Sequence, residues 1–397
     1  MDDKEYFRGI VTGILIAACI GAGGYLGVQL AGKSGGSVIT DPYCRNKVEV
    51  LEELIEDDYL ESVKEEELQE GLYAGLIAGL GDVYSRYYTA EEYEELMKET
   101  DGSYVGIGIL MQKYEDTGVE VVECYEGSPG DMAGLLEGDL IFAVDGKEIA
   151  GMELTEISSM IKNADADSVI LTIKREGIEN TFELEVPIRD VELKYVSYKM
   201  YDETIGYMEV SEFTGVTAKQ YREAFEDLKS QGMEKLIVDL RGNPGGLYTS
   251  VCEILDDILP EGLIVYTEDK YGEREEQWSD AKSPLAIEMA VLVNENSASA
   301  SEIFAGALQD YEAGVIVGTT TYGKGVVQSI YHLEDGSAVK LTVSKYYTPN
   351  GNCIHEIGII PDIEVELDTE AYLQAVEKNT EEVVWDNQVE VAAEALQ

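Results

Sequence analysis

Apolar residues recur along this chain in two rhythms, and the places where one gives way to the other predict its architecture. Residues 9–32 form an uncharged run between Arg8 and Lys33. About 20 residues suffice to cross a bilayer, so the run predicts a membrane helix. Helical spacing returns at Val48, Leu51, Leu54, Ile55 and Leu60 amid glutamates, and again over 68–80, where Gly71, Gly75 and Gly79 form a four-residue ladder. Residues 90–98 read as another acidic helix. Strand composition follows at 104–112, 119–125, 169–174 and 182–186, with one helix at 154–162. After Pro187 strands (205–210, 236–240, 290–293, 315–317) alternate with helices (218–229, 248–258, 301–308), the order of an α/β layer. Strands at 327–332 and 338–346 flank a turn at 334–337, and 370–397 read as an acidic, partly helical tail.

The 397 residues exceed one ordinary core. The pattern divides them into a short N-terminus (1–8), the span (9–32), a tether with helices (33–100), a β-rich domain (101–188), an α/β domain (189–368) and the tail (369–397). Two rivals to the span stay open. One is a cleaved secretory signal, and the other is a lipoprotein processing site at Ile16-Ala17-Ala18-Cys19. Charge does not orient it, since Lys4 and Arg8 precede it while Lys33, Arg45 and Lys47 follow.

Lys and Arg number 28 against 80 Asp and Glu, a formal charge of −52. Such a field repels phosphate backbones, which excludes nucleic acid as a partner. A solvated acidic surface accounts for it without a recognition role. Cys44, Cys124, Cys252 and Cys353 lack zinc spacing and read as buried small hydrophobes, so no metal and no organic cofactor is expected.

Candidate chemistry concentrates in 291–328, VLVNENSASASEIFAGALQDYEAGVIVGTTTYGKGVVQ. Ser299 falls at a strand-to-helix turn, where a side chain is exposed and unpaired helix N–H groups suit a developing oxyanion. The serines of SASAS would equally cap a helix. The loop 318–325 holds Lys324, which acts as a general base if burial lowers its pKa from about 10.4 toward 7–8. Burial among Tyr322, Val326 and Val327 is expected to supply this. Gly318 to Lys324 also fits the opening of a phosphate-binding G-x-x-x-x-G-K, but Gly325 stands where Ser or Thr should hold magnesium. His332 and His355 are the histidines, and a Ser-His-Asp triad would have to use His355. In RGNPGG (241–246), Gly245 or Gly246 can turn a backbone N–H toward a reacting carbonyl beside that of Ala300, or the two can merely make the turn. Asp239 and Arg241 read as braces of this loop.

The run from Gly127 to Gly146, with A-G-L-x-x-G-D-x-I-x-x-V-x-G within it, resembles a PDZ domain. Such domains add a peptide C-terminus as an extra strand and hold its carboxylate with backbone N–H groups. The candidate loop is Gly106, Ile107, Gly108 and Ile109, whose glycines permit backbone approach. Gly130 stands where alanine is common, and a looser short helix is expected there. A PDZ fold that only gates the active site is the alternative.

NENSASASEIFAGALQD followed by TYGKGVVQ, with LIVDLRGNPGGL (236–247) and YYTPNGNCIHEIGIIPDIEV (346–365), resembles the carboxyl-terminal processing proteases, serine peptidases with a Ser/Lys dyad. The likeness runs from about residue 48 onward. It implies a multidomain α/β fold with an inserted PDZ domain and a crotonase-like protease core. By resemblance Ser299 is the nucleophile, Lys324 the general base and Gln328 the lysine-orienting glutamine. It further implies protein substrates with exposed C-termini, N-terminal helices that help form a homodimer, and a single-pass membrane protein with its catalytic part outside the cytoplasm and residues 1–8 inside. Two other readings are a catalytically silent PDZ scaffold on a degenerate protease fold and an NTPase.

Overall fold

The structure, a computed structural model, describes residues 40–162, 167–280, 282, 287–378 and 385–397. The expected membrane run, 9–32, lies outside the described residues. Among the described residues no helix is long and apolar enough to cross a membrane. They form two compact units, one from the described part of 1–93 with 328–342, the other from 94–327 with 343–397.

The first unit carries the helices Pro42–Asp58 and Glu65–Ala78. Asp41 caps the former through the N–H of Cys44, and Pro42 opens it, a position where the missing proline N–H costs nothing. Neither helix buries a residue, and Leu51, Leu54, Leu72, Leu76 and Leu80 stay about half exposed. The strand Arg86–Tyr88 pairs antiparallel with residues 338–340.

In the second unit, residues 103–192 build the expected PDZ segment. Ser103–Gly106 pairs with Arg189–Glu192, and a sheet runs Ile109–Tyr114, Gly118–Cys124, Leu140–Val144, Ser168–Lys174, Phe182–Pro187. The single strand foreseen over 104–112 is broken at Gly108, whose φ is +77° and where a Cβ would lie 2.2 Å from that of Ser128. Only glycine fits. The carbonyl of Ile107 accepts from Gly130 N–H at 2.7 Å, and that of Gly108 from Tyr125 N–H and the Ser128 hydroxyl. A Cβ at Gly130 would stand 2.8 Å from the Ile107 oxygen. The short helix Pro129–Ala133 is therefore pinned against the loop, not loosened as expected. Gly134 ends that helix in the left-handed region, and Asp145-Gly146 turns with both φ positive, as D-G hairpins do. Fully buried Asp139 is held by a two-point pair with Arg175, at 2.6 and 2.7 Å, which offsets its desolvation.

The rest of this unit is a layered α/β domain. Its sheet orders Val196–Met200, Ile205–Val210, Lys235–Asp239, Glu288–Val293, Gly314–Gly318 and Ile363–Glu364; the first pair is antiparallel and the others parallel. Alternation along the strands divides two cores. Met208, Leu236, Val238, Val291 and Val293 face the helices Thr217–Gln231, Tyr248–Ile258 and Ala300–Asp310. Tyr207, Ile237, Ala290 and Leu292 face Val389, Ala392, Ala393 and Leu396. The last four lie on or beside the helix Asn387–Ala395, so the chain end is no separate tail but covers the second face of the sheet. A hairpin, Gly262–Asp269 with Arg274–Ser279, has no counterpart in the hydrophobic pattern, because its second strand is charged and buries only Ser279.

Candidate active site

Three parallel strands of the sheet end where the site begins. Lys235–Asp239 leads into the loop 241–246, Glu288–Val293 into the turn holding Ser299, and Gly314–Gly318 into the loop holding Lys324. Ser299 caps the helix Ala300–Asp310 with φ +56° and ψ −113°. This is a strained conformation for a residue bearing a Cβ, of the kind stored at reactive turns.

What holds that turn is Glu302, which the sequence reading missed. Its side chain is wholly buried and accepts four hydrogen bonds. Oε2 takes the N–H of Ser299 (2.8 Å) and of Lys324 (2.9 Å). Oε1 takes the Thr321 hydroxyl (2.6 Å) and the N–H of Gly323 (2.7 Å). One oxygen thus anchors the backbones of both Ser299 and Lys324, so their amide nitrogens lie no farther apart than those two bonds laid end to end. On the carbonyl side the buried Tyr346 hydroxyl does the same, donating its one proton between Ser299 O (3.1 Å) and Lys324 O. Burial pushes the Glu302 carboxyl above its ordinary range, and the four donors oppose that shift. The sequence signal for Glu302 was present: Ser299-Ala-Ser-Glu302 is a capping-box spacing, in which the third residue reaches back to the cap N–H.

Lys324 is half-buried between two buried glycines. Tyr322 does not wall it, being 59% exposed, whereas Val326 is 6% exposed. The segment after Tyr347 packs there instead: Glu356 N–H donates to Gly323 O, and a Cβ at Gly325 would lie 2.3 Å from His355 N. The phosphate-loop reading fails on the same ground, since a carboxylate of this chain already occupies the N–H groups of Gly323 and Lys324. His355 Nδ1 is buried with no hydrogen-bond partner among the described residues, so no carboxylate orients it as a triad requires. Gln328 belongs to the first unit, where its amide donates to Thr342 Oγ1.

The loop 241–246 supports the Ser299 turn directly. The carbonyl of Asn243 accepts from Ala298 N–H and the Ser301 hydroxyl, both at 3.0 Å. Its side chain bridges Val210 O and Gly245 N–H. The N–H of Gly245 is therefore spent, while those of Gly246 and Ala300 meet no acceptor among the described residues. A Cβ at Gly245, where φ is +108°, would lie 2.7 Å from Ser299 Cβ and 3.0 Å from Ala300 N. Gly245→Ala is accordingly expected to displace the turn, with kcat lowered about 100-fold. Steady-state cleavage by this variant checks it; near-normal kcat would show that the contact is not needed. Asp239 and Arg241 form a buried pair behind the loop, as the bracing reading expected.

Among the described residues no cluster of His, Cys, Asp or Glu could hold a metal ion. In the PDZ segment the candidate carboxylate loop places Ile107 in the core and Gly106 and Gly108 at buried positions, with Ile109 opening a strand at the sheet edge.

Residues 204–365 match peptidase family S41, 120–175 match the PDZ domain, and 26–92 match the N-terminal domain of the activating protease CtpB. The chain is 33% identical over 365 residues to a probable CtpA-like serine protease of Staphylococcus aureus (strain bovine RF122 / ET3-1), covering 91% of this chain and 72% of that protein. It is 34% identical over 325 residues to the carboxy-terminal processing protease CtpB of Bacillus subtilis (strain 168), covering 81% of this chain and 68% of that one. Among solved structures, the photosystem II D1 C-terminal processing protease aligns at 29% identity and a TM-score of 0.47, over 83% of this chain and 88% of that one. With the family models and the two curated relatives spanning the PDZ segment and the α/β core alike, the chain belongs to the carboxyl-terminal processing serine proteases of peptidase family S41.

Proposed function

We propose that this chain is a membrane-anchored, extracytoplasmic endopeptidase that captures the C-terminal tails of protein substrates and cuts them with a Ser299/Lys324 dyad. The observation that carries the dyad is the double clamp of Glu302 and Tyr346 on the backbones of both residues. Ser299 Oγ attacks the scissile carbonyl while the neutral amine of Lys324 takes its proton. The oxyanion is met by the N–H groups of Gly246 and Ala300. The C–N bond then breaks as the proton passes from Lys324 to the leaving amine, and water, activated by the same amine, hydrolyses the ester. Gln328 keeps its lysine-orienting role on family resemblance alone.

Tail capture falls to the PDZ domain, with Gly106, Ile107, Gly108 and Ile109 as the carboxylate loop and Ile109–Tyr114 as the edge to which a strand is added. Residues 9–32 serve as the anchor. The exposed apolar faces of Pro42–Asp58 and Glu65–Ala78, with open space around Gly71 and Gly75, support a homodimer through these helices. Tail recognition is tested with a disordered protein bearing either a free or an amidated C-terminus. The free form is expected to be cut at least tenfold faster, since amidation removes the charge the loop binds. Equal rates would remove tail capture from the account.

A further inference from the structure

The final helix, Asn387–Ala395, lies beyond the residues matched to peptidase family S41, yet its head reaches the catalytic loop. Asp386 splits its carboxylate between two tasks. Oδ1 caps the helix through the N–H groups of Gln388 (2.8 Å) and Val389 (3.1 Å), and Oδ2 takes Arg241 Nη1 at 2.8 Å. Gln388 Oε1 takes the same Nη1 at 2.8 Å while its amide donates to Val365 O. Nε and Nη2 of Arg241 are both spent on Asp239. The guanidinium is thus fixed from two sides, with the Asp386 side chain 3% and that of Arg241 15% exposed.

Arg241 opens the loop that continues through Asn243 to Gly245 and Gly246. Gly242 N–H is bound to Asn294 Oδ1, and Asn243 O holds Ala298 N–H and Ser301 Oγ on either side of Ser299. A shift at Arg241 therefore reaches both the Gly246 N–H and the Ser299 turn through fixed hydrogen bonds. Misplacing such groups by about 1 Å costs on the order of 100-fold in rate.

We propose that Asp386 and Gln388 are positioning residues for peptide hydrolysis, acting through Arg241 on the loop that carries Gly245 and Gly246. This rests on Ser299 being the nucleophile. The helix head sets where the oxyanion donor stands, and it touches neither substrate nor the reacting atoms.

The test uses the full chain with Asp386→Asn, which keeps a good helix cap but removes the charge, and separately Gln388→Leu. Asp386→Asn is expected to lower kcat about tenfold or more, with KM within about twofold of wild type. Affinity for a peptide boronate, whose tetrahedral adduct needs the oxyanion donors, should fall by the same factor as kcat. Gln388→Leu should show the same split more weakly. A folded Asp386→Asn protein with wild-type kcat overturns the proposal, as does a lower kcat with unchanged boronate affinity. Wild-type cleavage that survives Ser299→Ala would overturn the nucleophile assignment instead, so the two failures are told apart.

Discussion

Replacing Ser299 with alanine is expected to lower cleavage of an unstructured protein by about ten-thousand-fold or more, and Lys324→Ala to do nearly the same. The two losses should not add, because attack and proton removal are one event. The fold should survive both changes, since the clamp uses backbone atoms: Glu302 and Tyr346 hold the N–H and C=O groups of these residues. Ser299→Gly carries the argument further. At φ +56° and ψ −113° the serine sits where a Cβ is penalised, so glycine should be inactive yet more stable by about 1 kcal/mol. Initial rates and denaturant midpoints read both quantities. An active Ser299→Ala protein, or a glycine variant markedly less stable than wild type, would contradict the reading of the turn.

Glu302→Gln is the second large effect. All four partners of this side chain are donors, so the site demands an acceptor at every lone pair. Glutamine keeps the shape but turns an NH2 toward two of those donors. Leaving buried groups unsatisfied costs about 1–3 kcal/mol each, so a total loss of about 2–6 kcal/mol is expected. Freed from its anchor, the turn should also drift relative to the lysine loop, with kcat lowered about 100-fold or more. Denaturant unfolding and steady-state kinetics on the same preparation separate the two consequences. A glutamine variant with wild-type stability and kcat would show that the carboxylate is not what joins the loops.

Much of this was legible in the sequence because it depends on local pattern. The strand 205–210 and the helices 154–162 and 248–258 fall where periodicity puts them, and the Ser299 turn follows from a buried strand meeting a helical stripe. The glycines at 245 and 246 were legible as a turn, but which N–H is free depends on Asn243 folding back on its own loop. Glu302 lay in plain view as a capping-box residue, yet its partners come from a loop about twenty positions downstream, and no periodicity reports such a contact. Tyr346 ends the strand expected over 338–346, but no periodicity reports that its hydroxyl turns back to the carbonyls of Ser299 and Lys324. The terminal helix looks like a tail in the sequence because its buried face is built largely of small residues, Ala392 and Ala393 beside Val389 and Leu396, among acidic neighbours. Small side chains give a weak hydrophobic stripe, although they suit close packing on a sheet.

The most direct measurement is the site of covalent modification by a fluorophosphonate. Peptide mapping of the labelled protein should place the adduct on Ser299, with labelling nearly abolished in Lys324→Ala although that variant remains folded. An adduct on another residue, or equal labelling of Ser299 with the lysine removed, would contradict activation of this hydroxyl by that amine.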